Sequence, residues 1–307
     1  MDQSTGIIPT IILTGFLGAG KTTLLNRLID YYKSKRTVLL INEFGQIGVD
    51  GALLKQGSYE KVELNKGSLF CICVRTDFID EVERIARDIK PELLLIEATG
   101  LADTSEMEKM LNLPNLKPYI NLRASVCIVD CTTFLKISKN LKAPVSQVKS
   151  ADLVLLNKPD RVDKDTAGRT RKAVEEIAPD VKIVDTLYAD IPVGIIDQIR
   201  RPHKETSGEV GEGRPDPVIS VTLKEEGEFS REKWERFTDT FKKKAMRTKG
   251  FVTIEGDVYL IDAGMEEWKE SKSDKAGTGE NTLVIIGQEI DEDEIQQRFH
   301  ALLEATE

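Results

Sequence analysis

Histidine is nearly missing from this 307-residue chain, which has His203 and His300 and no others. A metal site built on several imidazoles is thereby excluded, and a soft-metal site would have to draw on thiolates and carboxylates. Cysteine is sparse too. Four in a chain this long make no disulfide scaffold, and they fit a reducing compartment where thiols stay free for metal or redox work. No apolar run is long enough for a membrane-spanning helix. Met1–Pro9 lacks the basic and apolar regions of a secretory signal. Positive charge is in deficit, with 43 Lys and Arg against 52 Asp and Glu and a net charge of −9. Without a basic footprint, neither nucleic acid nor an anionic membrane is expected as a partner. The expected setting is cytoplasmic.

What is present is enough apolar residue, 40% of the chain, for a real core in one large domain or two. Short apolar runs recur at Thr10–Thr14, Thr37–Ile41, Glu92–Ile96, Ser125–Val129, Leu153–Leu156 and Val181–Val184. Their near-continuous apolar character is that of strands covered on both faces. Amphipathic stretches lie between them, such as Leu24, Leu25, Leu28, Ile29 and Tyr32, or Phe78, Val82, Ile85, Ala86 and Ile89. Strand–helix alternation of this kind predicts an α/β fold, a doubly wound and mainly parallel sheet, over residues 1–203. Residues 204–216 are polar and aperiodic and read as a linker. Residues 217–307 predict a smaller α+β domain. It would hold a strand at Pro217–Leu223 and a helix at Ser230–Arg247 with Trp234, Phe237 and Phe241 on its apolar face. Lys242–Lys244 would lie on the wet face of that helix. Short strands are expected near Phe251–Glu255, Val258–Ile261 and Leu283–Ile286, a polar loop at Ser271–Asn281, and a last helix opened by Asp291 with Glu294.

Three motifs carry chemistry. Gly15-Phe-Leu-Gly-Ala-Gly-Lys-Thr22 matches G-x-x-x-x-G-K-[ST] between a predicted strand and a predicted helix. Glycines such as Gly15, Gly18 and Gly20, with Ala19, let successive N–H groups turn toward phosphate oxygens. The helix that starts near Lys21 aims its positive end at the same anion. Lys21 would meet the β- and γ-phosphates, the Thr22 hydroxyl would ligate Mg²⁺, and Thr23 completes the phosphate-binding stretch. Glu97, in Glu97-Ala-Thr-Gly100, ends a predicted parallel strand where a second Mg²⁺ carboxylate belongs, and Gly100 would offer its N–H to the γ-phosphate. Asn157-Lys158-Pro159-Asp160 reads guanine. Asp160 accepts from the ring N–H and exocyclic amine that adenine cannot offer, Asn157 meets another edge, and Lys158 lies over the ring.

With these residues in place the chain resembles the CobW-type branch of the metal-insertion P-loop GTPases, relatives of the urease and hydrogenase nickel-insertion GTPases. The resemblance rests on Gly15–Thr23 (GFLGAGKTT), Asn42–Gly45 (NEFG) with Gly48–Asp50, Glu97–Asp103 (EATGLAD), Val129-Asp130 and Asn157–Asp160. It implies GTP hydrolysis, with GTP and Mg²⁺ as cofactors, coupled to metal trafficking or to metal or cofactor insertion into a client. Members of the family serve zinc, cobalt in cobalamin pathways, or iron in nitrile hydratase maturation. The resemblance ties Glu43 to metal binding and to hydrolysis, so the catalytic candidates are Lys21, Glu43 and Glu97.

The family carries a C-x-C-C motif, and here Cys71-Ile72-Cys73-Val74 keeps two of the three thiols. Cys71 and Cys73, on one side of a turn or strand, could share Zn²⁺ or Co²⁺ with Glu43 or a water completing the site. Two functional readings stay open. One is a GTPase metallochaperone or insertase that delivers zinc or cobalt to a client metalloprotein or corrinoid protein. The other is a GTP-gated docking module that activates such a client and binds no transition metal itself, which Val74 in the third place favours. An ATP-dependent kinase is disfavoured by Asn157–Asp160. A homodimer is an open assembly. Cys127 and Cys131 fall in and just after a predicted core strand and read as packing residues. Asp130 reads as a cap more than a nucleotide-site group, Asp163 and Asp165 as a solvated helix start, and the two histidines as structural or solvated.

Overall fold

The computed structural model describes residues 6–42, 59–64, 72–192, 194–201, 216, 218–273 and 280–304, with backbone alone at 42, 63–64, 72–74 and 303–304. The chain divides into two compact units, residues 1–44 with 50–216, and residues 45–49 with 217–307.

In the first unit, seven described strands form one sheet: β1 (Ile8–Gly15), β2 (Thr37–Asn42), β3 (Tyr59–Leu64), β4 (Leu93–Glu97), β5 (Ile120–Asp130), β6 (Leu153–Asn157) and β7 (Lys182–Thr186). Their order is β3-β2-β4-β1-β5-β6-β7 and every pairing is parallel. Side chains alternate between two covered faces, which is why the strands read as unbroken apolar runs. Ile11, Leu13, Leu39, Ile41, Leu93 and Leu95 pack on one face with Leu24, Leu25 and Leu28 of α1 (Lys21–Tyr31). Ile12, Val38, Leu40, Leu94 and Ile96 pack on the other with Phe78 and Val82 of α2 (Ile72–Arg84) and with Met107 and Met110 of α3 (Thr104–Leu111). The last turns of that amphipathic stretch, Ile85–Ile89, wind as a π-helix. Farther along, Cys127, Val129, Val154 and Leu156 meet Phe134 of α4 (Phe134–Asn140), Val148 of α5 (Lys142–Ser150) and Val174 of α6 (Lys164–Ile177). The order reverses at β1, flanked by β4 and β5, so the crevice at its carboxyl end is the topological switch point where ligands of such sheets bind. A short helix, α7 (Gly194–Asp197), closes this unit's described helices.

Strand β3 was not legible as a strand. Its sequence YEKVEL mixes charges with apolar residues, as suits a strand that among the described residues is an edge paired with β2 alone and has to resist further pairing.

The second unit holds an antiparallel sheet of β8 (Ile219–Glu226), β9 (Ala245–Ile254), β10 (Asp257–Gly264), β11 (Trp268–Lys272) and β12 (Glu280–Gly287), in the order β11-β10-β9-β12-β8. α8 (Arg231–Phe241) and α9 (Glu292–Glu304) build its core, with Trp234, Phe237, Phe241 and Phe299 buried together. The helix expected over Ser230–Arg247 stops at Phe241. Lys242–Lys244 form a turn, so they are not a helix face, and Ala245 enters β9, whose pairing with β12 overrides local helix propensity. Strand β11 takes Ser271 and Lys272 from the expected loop, and β12 takes Glu280 and Asn281. Trp234 and Trp268 both donate their indole N–H to Glu270 (2.8 and 3.0 Å), and Arg231 pairs with the same carboxylate. Burial would raise the Glu270 carboxyl, but those three donors outweigh it and hold it below its ordinary value. Asp291 accepts from the Glu294 N–H and opens α9 as expected. No helix among the described residues is long and apolar enough to cross a membrane.

Candidate nucleotide site

The loop between β1 and α1 is built at the switch point. Ala98 N–H bonds Leu13 O (2.9 Å), fastening the end of β4 beside it. Phe16 and Ala19 are buried and anchor the loop, and Ala19 N–H closes a turn on Phe16 O. Gly20 is left-handed (φ 117°) and enters α1, whose first turn has no acid and no capping side chain. By contrast α3, α6 and α8 are capped by Asp103, Asp163 and Ser230. The positive end of α1 therefore faces the crevice with no acid or capping side chain of its own. The Lys21 ammonium bonds the Gly15 and Phe16 carbonyls (2.9 and 3.3 Å) and so spans the loop it ends.

Asn157 and Lys158 are stitched onto this loop. Asn157, at the end of β6 and 2% exposed, donates Nδ2–H to Ala19 O (2.8 Å) and accepts at Oδ1 from Ala189 N–H (3.2 Å). A Cβ on Gly20 would stand 2.7 Å from that Nδ2, so only glycine lets the two segments meet. Lys158, itself left-handed (φ 60°), donates to Gly18 O (2.9 Å) and pairs with Asp130 Oδ2 (2.5 Å). Asp130 also accepts from the Thr132 N–H and hydroxyl through Oδ1, so it turns the chain after β5 and braces Lys158 at once. Pro159 opens a one-turn 3₁₀-helix, Pro159–Arg161, in which its missing N–H costs nothing, and Asp160 stands exposed within it.

Ala189 belongs to a wall that the sequence did not reveal. In the turn Leu187–Asp190 after β7, Tyr188 and Ala189 are both left-handed (φ 54° and 53°) without a glycine. Thr186 Oγ bonds Asp190 O, while Arg27 of α1 bonds Tyr188 O (3.1 Å) and pairs with Asp190 (2.8 Å). Nothing in LYAD signals that pair of left-handed residues.

Glu97 ends β4 and is 4% exposed. Burial raises its carboxyl above the ordinary range, against the opposing pull of Lys21 and a hydrogen bond with the Thr22 side chain. Its Oε2 is buried with no hydrogen-bond partner among the described residues. An unpartnered carboxylate oxygen beside a threonine hydroxyl is a donor set that fits a hard divalent cation such as Mg²⁺. Gly100 lies against the loop, where a Cβ would come within 2.5 Å of the Leu17 side chain.

The remaining expected residues sit elsewhere. Glu43 and Cys71 lie outside the described residues, as does His203. Cys73 falls in the first turn of α2, in a helix and not in a turn or strand. Cys127 and Cys131 are buried free thiols, both pushed up to about 12 by burial, and so behave as packing residues. His300 is exposed beside Glu225.

The description "CobW/HypB/UreG, nucleotide-binding domain" matches residues 9–185. The chain belongs to the CobW/HypB/UreG family of P-loop GTPases. Residues 218–303 match the cobalamin synthesis protein CobW C-terminal domain. A protein named zinc chaperone CobW from Sinorhizobium sp is 28% identical across 97% of this chain and 98% of its own length. Another zinc chaperone CobW, from Pseudomonas aeruginosa, is 32% identical across 62% of this chain and 59% of its own. A zinc-regulated GTPase metalloprotein activator 1 from Dictyostelium discoideum is 26% identical across 61% of this chain and 47% of its own. Against these last two, the chain spans about half to three-fifths of the relative's length.

Proposed function

We propose that this family member binds and hydrolyses GTP on Gly15–Thr22 and uses the cycle to deliver zinc to a client metalloprotein. The observation that carries the nucleotide part is the stitching of Asn157 and Lys158 onto the Ala19 and Gly18 carbonyls, which couples the base-reading motif to the phosphate loop. Asp160 accepts from guanine, Asn157 and Ala189 bond to each other beside it, and Lys158 is braced by its ion pair with Asp130. The N–H groups of the loop and of α1, with Lys21, carry the phosphates. Thr22 and Glu97 would hold magnesium, which would neutralise phosphate charge when bound. Gly100 offers its N–H to the γ-phosphate, so its segment senses whether that phosphate is present.

The cargo assignment rests on the Cys71-x-Cys73 pair and on the zinc chaperone names of relatives. Thiolates favour zinc, and Glu43 is the candidate for a further ligand. Val74, standing where the family's third cysteine belongs, favours a second reading: a GTP-gated docking module that activates its client without carrying an ion. Phosphate release measured with GTP and with ATP tests the first step, and turnover of ATP alone would refute it. Zinc content of the purified protein, compared with a Cys71→Ser/Cys73→Ser variant, separates the two readings. Zinc lost in the double variant supports delivery, and no zinc in either supports docking.

A further inference from the structure

One helix joins the candidate γ-phosphate sensor to the polypeptide that enters the second unit. Gln147 of α5 is 1% exposed. Its Nε2 donates to Gly100 O (3.1 Å) and to Ala102 O (3.2 Å), so both amide protons are spent on the segment after Glu97. One residue earlier, the Ser146 hydroxyl donates to Asp103 Oδ1 (2.5 Å), the same oxygen that caps α3 through Ser105 N–H. At the other end of α5 the N-cap residue is Leu141, which has no side-chain acceptor. The cap comes instead from Asp216, whose two carboxylate oxygens accept from Lys142 N–H (2.8 Å) and Ala143 N–H (2.9 Å). Asp216 lies just ahead of Ile219, where β8 begins.

We propose that Gln147 and Ser146 are positioning residues that set Gly100–Asp103 for hydrolysis, and that α5 passes the state of this segment to Asp216 at the entrance to the C-terminal unit. This rests on the GTPase reading above. The mechanical case follows from burial. Gly100 packs on Leu17 with no room for a Cβ, and Thr104 at the start of α3 is tied to Thr14 of β1 (3.0 Å). If Gly100–Ala102 shifts when the γ-phosphate leaves, two buried N–H···O bonds either break or carry α5 along. Leaving a buried amide unpaired is the costlier outcome. A nine-residue helix spans about 13 Å and moves as one rod, so its capped end follows.

The test uses the full-length protein. Gln147→Met keeps the side chain's volume and removes both donors. The expected result is a kcat for GTP lowered about tenfold, with KM and GDP affinity within about twofold of wild type. A packing role alone would leave kcat intact. Hydrogen exchange at Lys142 and Ala143 should differ between GDP-bound and GTP-analogue-bound wild type, and that difference should vanish in Gln147→Met. Ser146→Ala, which removes one hydroxyl, should move both readouts the same way and serves if Gln147→Met does not fold. Wild-type kcat in these variants, or nucleotide-independent exchange at 142–143 in the wild type, overturns the proposal. A wild type that turns over no GTP refutes the underlying GTPase reading instead, and the exchange comparison, which needs binding alone, still tests the linkage.

Discussion

Replacing Glu97 by Gln should stabilise the empty protein and cripple the loaded one. Glu97 is 4% exposed and its Oε2 has no hydrogen-bond partner among the described residues. A charged oxygen buried without a partner costs about 1–3 kcal/mol or more relative to a satisfied one, whereas a neutral amide of the same shape carries a smaller penalty. Without nucleotide or divalent metal, Glu97→Gln should therefore raise stability by roughly 1–2 kcal/mol, or about 2–8 °C in Tm for a domain of this size. The pH dependence fixes the sign. The folded carboxyl is raised above the ordinary value of 4.5, so the folded state holds its proton more tightly than the unfolded one. Wild-type stability then falls as pH rises through the interval from the unfolded to the raised folded pKa. The variant lacks this loss, so the gap between the two closes in acid and opens toward neutral pH. With magnesium and GTP the order reverses, because the variant has lost the charge that would hold the cation, and its magnesium-dependent nucleotide affinity should drop about tenfold or more. Thermal melts in EDTA and in Mg·GTP across pH supply the assay. A variant that melts below wild type in EDTA at neutral pH would refute the reasoning.

Other consequences are simpler to read. Gly20→Ala forces a side chain into a left-handed position and against the Asn157 amide; a loss of about 1–3 kcal/mol by denaturant unfolding is expected, together with weaker nucleotide binding. Asp160→Asn should weaken GTP binding about a hundredfold by competition assay without improving ATP binding, since it removes an acceptor and creates no adenine donor site. Cys127 and Cys131, both pushed up to about 12, should resist a thiol reagent at pH 8 in the native state and react only on unfolding, as mass mapping of labelled peptides would show. Glu270, held below its ordinary pKa by Trp234, Trp268 and Arg231, contributes stability present above the unfolded carboxyl pKa and lost as pH falls through the folded one; the acid melt of Glu270→Gln should be flatter than that of wild type.

The strands that hold the site were legible because they are buried on both faces: TIILT, ELLLI and LVLL could be little else. The phosphate loop was legible because glycine spacing is local, and the structure ties Asn157 and Lys158 to its carbonyls. The edge strand β3 was hidden because its charged, half-exposed sequence lacks that burial signature. The overlong helix at Ser230–Arg247 shows the converse. Local propensity favoured continuing past Phe241, and only the pairing of β9 with β12 turned Ala245 into a strand. Ala189 and Gln147 were missed for another reason. Their roles depend on a backbone N–H that meets a partner 32 positions away and a side-chain amide that meets partners 47 and 45 positions away, and no spacing rule encodes such a meeting. Asp130 was half read, since its cap is local to Thr132 but its pairing with Lys158 spans two strands.

The most direct test of the account is the zinc affinity of the full-length protein measured twice, once loaded with Mg·GDP and once with magnesium and a non-hydrolysable GTP analogue. Nucleotide-gated delivery predicts that the two dissociation constants differ by about tenfold or more, a coupling of roughly 1.4 kcal/mol, and that Cys71→Ser with Cys73→Ser removes the binding. Equal affinities in the two states, or binding that survives loss of both thiols, would contradict it.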